Sequence, residues 1–417
     1  MRIALAVDGT RGDVHPMLAL GTALRARGHD AILCAPPDFA EDAARCGLPF
    51  HAVGVSARAY LAEHAEFLHG TMRQSMLAAR DYLRENIVRQ FRELTIAARG
   101  ADWILAAGVQ LSAGSVAQAH GARHRFVAYC PSVLRSPHQT PFVVQRGELP
   151  RWLNRLAWWG VVQIFATTLR GVVSAERAQL GLAPVRDLYG LMRSPSPIFA
   201  VEELLATPPP DLVGEVQSVG CLHPFEEEPL PEKLEAFLAA GEPPVYIGFG
   251  SMTDPDPAAT TRLVLDAVAR SGVRAVLSAG WAGLGDAPLP ENVIVVGSLS
   301  HPALFRRVAA VVHHGGAGTT TTAARAGAPQ ILVPHVLDQF HWAARVARLG
   351  LGPSALPRRG LSSERLAEAI LAVADNEMLA ERAAQLGERL RADLRARTHP
   401  ADALFPRDVG ADPRAAV

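Results

Sequence analysis

Short apolar runs recur along the 417-residue chain with helical patterns between them, and that alternation constrains the fold more than any other feature. RIALAV near the start, DAILCA at 30–35, DWILAA at 102–107 and HRFVAY at 124–129 have the length and the Ile, Leu, Val and Ala content of buried strands. Amphipathic stretches such as PMLALGTALRARG and RENIVRQFRELTIAARG separate them. Such alternation predicts βαβ units on a parallel sheet. It breaks in the proline- and acid-rich stretch LLATPPPDLVGEVQSVGCLHPFEEEPLPEK at 204–233. It resumes with PVYIGFGS (244–251), VRAVLSA (273–279), NVIVVGS (292–298), AAVVHHGG (309–316) and PQILVP (329–334). A chain of this length exceeds one core. The expectation is an α/β protein of two doubly wound, Rossmann-like halves: residues 1–212, a linker at 213–240, a second half at 241–396 and a loosely ordered tail at 397–417.

Charge narrows the function. The 41 basic and 41 acidic residues cancel, which argues against a nucleic-acid partner. Cys34, Cys46, Cys130 and Cys221 form no CxxC pair, so neither a disulfide framework nor a zinc site is expected. Asp8 ends the first apolar run too early for a signal peptide, and LAWWGVVQIFATTL at 156–169 is too short to span a bilayer. A soluble, cytoplasmic protein is the expectation.

The most informative stretch is VVHHGGAGTTTTAARAGAPQILVPHVLDQFHWAARVARLGLG, residues 311–352. A strand ends in VV, HHGGAG turns, and TTTTAARAG reads as a short helix that Gly327 stops. Glycines let backbone N–H groups approach an anion, and the helix N-terminus adds unpaired donors and partial positive charge. The pattern is neither a Walker A loop nor a GxGxxG after the first strand. By itself it is equally compatible with a purely structural turn.

HHGGAGT followed by AGAPQ, a proline and DQ resembles the donor-binding segment of the UDP-glycosyltransferase family, inverting sugar transferases of GT-B fold. The interval from His314 to Asp338 matches the family's signature box. DQFHWAARVARLGLG and the N-terminal GTRGDVHPMLALG resemble the sterol glucosyltransferase branch and the bacterial antibiotic glycosyltransferases. The resemblance implies two Rossmann-like domains facing a cleft. It further implies that His314 and the backbone of Gly315, Gly316, Gly318 and Thr319 hold a diphosphate, that Asp338 and Gln339 bind sugar hydroxyls, and that Ser251 and Gly12 line the donor site. Trp281 then lies beside the base, or in the core. Thr322 stands where the plant branch carries a ribose-binding Glu. The expected co-substrate is UDP-glucose, with dTDP-sugars as the alternative, and neither metal nor cofactor is called for.

In the same turn the plant branch carries a His that takes the acceptor's proton; here Asp13 occupies that place. Asp13 is therefore the expected general base, helix capping is its alternative role, and His15 is a second candidate on the acceptor side. Trp152, Trp158, Trp159 and Phe165 supply a greasy wall for a sterol, terpenoid or polyketide, pack as helical core, or touch a membrane surface. A non-catalytic sugar-nucleotide-binding activator and a sugar-nucleotide epimerase are the competing functions.

Overall fold

The computed structural model describes residues 1–63, 72–145, 148–222, 228–252, 254, 256–281, 283–297 and 299–406. The parts of the expected acceptor region, linker and tail at 64–71, 223–227 and 407–417 lie outside them. Seven strands form the first sheet: β1 (Arg2–Asp8), β2 (Asp30–Ala35), β3 (Phe50–Ala52), β4 (Trp103–Gly108), β5 (Arg123–Ala128), β6 (Ile198–Phe199) and β7 (Gln217–Ser218). Five form the second: β8 (Val245–Gly248), β9 (Ala275–Ser278), β10 (Val293–Val296), β11 (Ala310–His313) and β12 (Gln330–Leu332). Their orders are β3-β2-β1-β4-β5-β6-β7 and β10-β9-β8-β11-β12. Every paired strand is parallel, β1 lying between β2 and β4, and β8 between β9 and β11.

The continuous apolar strands divide their residues between two helix layers, as strands covered on both faces must. Ile3, Leu5 and Val7 pack with Val14, Met17 and Leu18 of the helix Arg11–Arg25. Ala4 and Ala6 face the opposite layer with Leu94, Ala98 and Val116. In the second lobe Val245 and Ile247 point one way and Tyr246 the other. A third cluster joins the lobes, packing Phe126, Leu134 and Phe199 against Leu332, Trp342 and Val346. At this junction Glu202 of the first lobe, fully buried, receives both Arg325 and Arg397.

Two expected boundaries move. The first sheet continues past residue 212 to β7, while the helix Glu232–Ala239, inside the expected linker, buries Leu234 and Leu238 against Tyr246 and Phe305 of the second lobe. The tail is also ordered over part of its length. Helix Pro400–Leu404 returns to the first lobe, where Ala401 and Phe405 join the core and Asp402 accepts from Arg27 Nε (2.7 Å) and Nη2 (2.6 Å). Proline and charge masked this amphipathic turn in a stretch too short to show a helical period. Among the described residues no single helix is long and apolar enough to cross a membrane; helices Arg151–Thr168 and Arg170–Gln179 pass that test only as a pair bent by 52°.

Candidate active site

Strand β1 delivers Asp8 and then Gly9 to the carboxyl end of the first sheet, and the helix Arg11–Arg25 leaves at once. Asp13, in that helix's first turn, folds its carboxylate back so that Oδ2 accepts from the Thr10 backbone N–H at 2.9 Å. Two glycines make room. A Cβ on Gly9 (φ +146°) would lie 2.1 Å from Asp13 Oδ2; one on Gly108 would meet the Asp8 carbonyl at 1.8 Å and Asp13 Oδ1 at 3.4 Å. Asp13 thus does cap its helix, but that role leaves it half-buried at the sheet's end, where open α/β sheets place ligands. Burial pushes its pKa up to about 7, against the lowering hydrogen bond from Thr10, and the charges of Asp338 and Asp8 push the same way. A carboxylate so perturbed is a better proton acceptor than a free one. His15 sits beyond it on the helix, with Nε2 3.1 Å from Asp42 Oδ2 and its ring edge-on to Phe39. Gly12 is exposed.

The second lobe builds its turn from β11. His313 is fully buried, Nε2 toward Gln330 Oε1 (3.0 Å) and Nδ1 accepting from Gly315 N–H (3.1 Å), and burial lowers its pKa to about 3. It is a neutral brace for the turn. His314 points the other way, over two glycines: a Cβ would approach its Cε1 within 3.0 Å from Gly250 and its Nε2 within 2.5 Å from Gly316. Burial lowers the His314 pKa to about 4, so at neutral pH it offers one N–H rather than a cation. Gly315 (φ +91°) turns the chain, and Gly316 is the N-cap of the helix Ala317–Ala326, which has neither a capping side chain nor an acidic residue in its first turn. Gly318 faces open space, and Thr319 is half-buried beside it. Thr322 Oγ1 donates to the Gly318 carbonyl at 2.8 Å.

The loops after β8 and β9 close the same end. Ser251 is buried; Gly280 (φ +55°) allows the Gly250 carbonyl to come within 2.6 Å of where a Cβ would stand, and Trp281 N–H donates to that carbonyl at 2.9 Å. The Trp281 ring packs on the first lobe's core, and the Arg11 guanidinium carbon lies 5.8 Å from its centroid. Asp338 begins the helix Gln339–Leu349 without capping it through its side chain. It is half-buried, and burial raises its pKa to about 6. Asp13 and Asp338, from opposite lobes, are near enough for the charge of Asp338 to raise the pKa of Asp13. Gln339 points inward: its Oε1 accepts from His335 N–H (2.7 Å) and Val336 N–H (3.0 Å), and its Nε2 lies 3.3 Å from Met252 Sδ. This residue, expected at the sugar, braces the Asp338 loop in this structure.

The aromatic wall divides. Trp158 is core, 2% exposed, with its indole N–H donating to the Gln139 carbonyl at 2.8 Å and its ring edge-on to Tyr189. Trp152 and Trp159 are 65% and 61% exposed on the outer face of the helix Arg151–Thr168. Phe165 is half-buried against Tyr189.

Three neighbours of Asp13 went unforeseen. Asp8 is buried, its Oδ2 accepting from Asn86 Nδ2 at 2.9 Å, and burial pushes its pKa up to about 7. Tyr129 donates its hydroxyl to the Asp13 carbonyl at 3.1 Å, and Arg11 reaches Trp281. The available signal was position: Asp8 and Tyr129 both stand at carboxyl ends of strands. Among the described residues no three His, Cys, Asp or Glu side chains cluster as metal ligands would.

Two parallel sheets, a turn that carries Asp13 and a glycine-rich turn before an uncapped helix are the parts of a GT-B glycosyltransferase. Known proteins agree: the Glycosyltransferase family 28 N-terminal domain matches residues 3–106, and the Erythromycin biosynthesis protein CIII-like C-terminal domain matches 262–404. Glycosyltransferase GtfE of Amycolatopsis orientalis is 40% identical over 84% of this chain and 85% of its own length. The vancomycin aglycone glucosyltransferase of the same organism is 37% identical over the same shares. A sterol 3-beta-glucosyltransferase of Arabidopsis thaliana is 29% identical over 89% of this chain and 62% of its own. The crystal structure of glycosyltransferase VinC in complex with dTDP superposes with a TM-score of 0.68 at 20% identity, covering 97% of this chain and 98% of that one. The chain belongs to this family of natural-product glycosyltransferases.

Proposed function

We propose that the protein transfers a hexose from a UDP- or dTDP-activated donor to a hydroxyl of a natural-product acceptor, with inversion and without a metal ion. One pairing carries the reading: Asp13 of the first lobe lies near enough to Asp338 of the second to feel its charge, and the second lobe's glycine turn leads into a helix N-terminus that no side chain caps. The relatives widen the substrate classes, since one is a vancomycin aglycone glucosyltransferase and another a dTDP-epi-vancosaminyltransferase.

On this reading the reaction is a single displacement. Asp13 accepts the proton of the acceptor hydroxyl as its oxygen forms a bond to the anomeric carbon. The bond from that carbon to the diphosphate oxygen breaks on the opposite face, and its electron pair leaves with the nucleoside diphosphate. Negative charge therefore grows at the turn His314–Thr319, where backbone N–H groups and the neutral His314 N–H await it. A single well-aimed donor of this kind is worth about 3 kcal/mol in the transition state. Asp338 orients the sugar through its hydroxyls.

Asp13→Asn keeps the size and the capping oxygen while removing the base. Calorimetric titration should show unchanged UDP or dTDP affinity, with turnover reduced at least a hundredfold. Wild-type turnover in this variant defeats the assignment. Full activity in excess EDTA is expected; loss of activity that Mg²⁺ restores would overturn the metal-free mechanism.

A further inference from the structure

Two non-glycine residues among those described adopt left-handed backbone, Ser194 (φ +58°) and Leu337 (φ +53°). Any residue with a Cβ resists that region, so each case calls for a cause. Ser194 supplies one: it is buried, and its hydroxyl accepts from the Phe126 backbone N–H at 3.1 Å. Leu337 has no comparable tie, and it is 50% exposed.

Leu337 is the first central residue of a tight turn from Val336 to Gln339, closed by Gln339 N–H to the Val336 carbonyl at 3.3 Å. A positive φ at this place is the hallmark of turns that favour glycine. The turn presents Asp338, and glycine would present it equally well. What leucine adds is an apolar side chain, held partly in water and directed into the crevice between the lobes. There it stands with Phe340 and His341 opposite Gln139, Phe142 and Val144 of the first lobe. The same crevice is bridged by Gln139 Nε2 to His341 Nδ1 at 3.3 Å and by the Arg348–Glu148 ion pair.

We infer that Leu337 is a specificity-determining contact for the acceptor: its side chain packs on an apolar face of the aglycone, beside the sugar that Asp338 orients. This rests on the transferase reading above and names one of its acceptor-side residues. Strain kept at a site, with apolar surface left uncovered by the protein, is what a ligand contact requires.

The test uses the full chain, Leu337→Gly and Leu337→Asn, both of which tolerate the backbone. Acceptors are a plain phenol, a flavonoid and vancomycin aglycone, graded in apolar area, and donor hydrolysis is measured without acceptor. Both variants should melt at or above the wild-type temperature, because strain is relieved. The KM of the largest acceptor turned over should rise about tenfold or more, with a smaller rise for the phenol, and donor KM and hydrolysis should stay within about twofold. An unchanged acceptor KM, an equal rise for every acceptor, or a melting temperature lowered by several degrees would each overturn the inference while leaving the transferase intact. A wild type that transfers to none of the acceptors would count against both.

Discussion

The molecule contains the same device twice: a parallel strand, a glycine turn and a helix. In the first lobe, β1 passes through Gly9 into the helix Arg11–Arg25, and Asp13 bends back onto that helix's own N-terminal N–H groups. In the second, β11 passes through Gly315 and Gly316 into Ala317–Ala326, where no side chain caps the helix and no acidic residue lies in its first turn. One carboxylate distinguishes the two. A helix N-terminus attracts negative charge. Where the chain supplies its own, the turn becomes a holder for a base; where it does not, the turn is available to a diphosphate. On the proposed mechanism the lobes divide the reaction, proton acceptance on one side and stabilisation of the leaving group on the other.

Supplying the second turn with its own carboxylate is the most damaging way to test this comparison. Gly316→Asp places an acid at the N-cap, where Asp is among the preferred residues, so the helix should persist. The new Cβ also presses on His314 Nε2 from 2.5 Å. UDP and dTDP affinity should fall by a hundredfold or more in calorimetric titration. Wild-type affinity would show that the diphosphate binds elsewhere.

The next effect is a shift in pH dependence. Asp13 must be ionised to accept a proton, so kcat/KM should decline as pH drops below about 7. Asp338→Asn removes a negative neighbour, which makes Asp13 easier to ionise. The acid limb should move to lower pH by up to about one unit, equivalent to about 1.4 kcal/mol, even if the plateau also falls. A stationary limb separates the two carboxylates and weakens the idea of a shared space. Stability supplies a second readout. Asp8, Asp13 and Asp338 are all raised by burial, so their contribution is complete below about pH 4 and is lost as pH rises through 6 to 7. The melting temperature of Asp338→Asn should decline less over that interval than the wild type's.

The two turns also explain what was readable in advance. At His314–Thr319 the proposed chemistry rests on backbone N–H groups, and glycines in a strand-to-helix turn point to it directly. Asp13 was identifiable for the same reason, being anchored by its place in such a turn. Its elevated pKa was not, because it depends first on burial in the folded chain and then on the charges of Asp338 and Asp8. The tryptophans illustrate the other limit. Trp158 and Trp159 are adjacent in sequence, yet one is core and the other 61% exposed, since a helix rotates neighbouring side chains by about 100°. Which of two large apolar residues faces inward was decided by Tyr189 and by the Gln139 carbonyl, far along the chain. Gln339 shows a further limit: that its amide oxygen accepts from the backbone of the loop it follows depends on how that loop folds, which residue spacing does not reveal.

The smallest effect should come from Thr322, where the plant branch carries a ribose-binding Glu. If recognition in the open turn belongs to the backbone, this side chain matters little. Its hydroxyl already returns a hydrogen bond to the Gly318 carbonyl one turn earlier, a local satisfaction common to threonines within helices. Thr322→Ala removes that bond but improves helix propensity by about 0.5 kcal/mol, so the two nearly cancel in stability. UDP affinity and donor KM should stay within about twofold of wild type. A tenfold loss of UDP affinity, with inorganic diphosphate binding unchanged, would mean that the hydroxyl leaves Gly318 to hold the ribose. The second lobe's turn would then depend on a side chain as the first one does, and the division between the lobes would be one of degree.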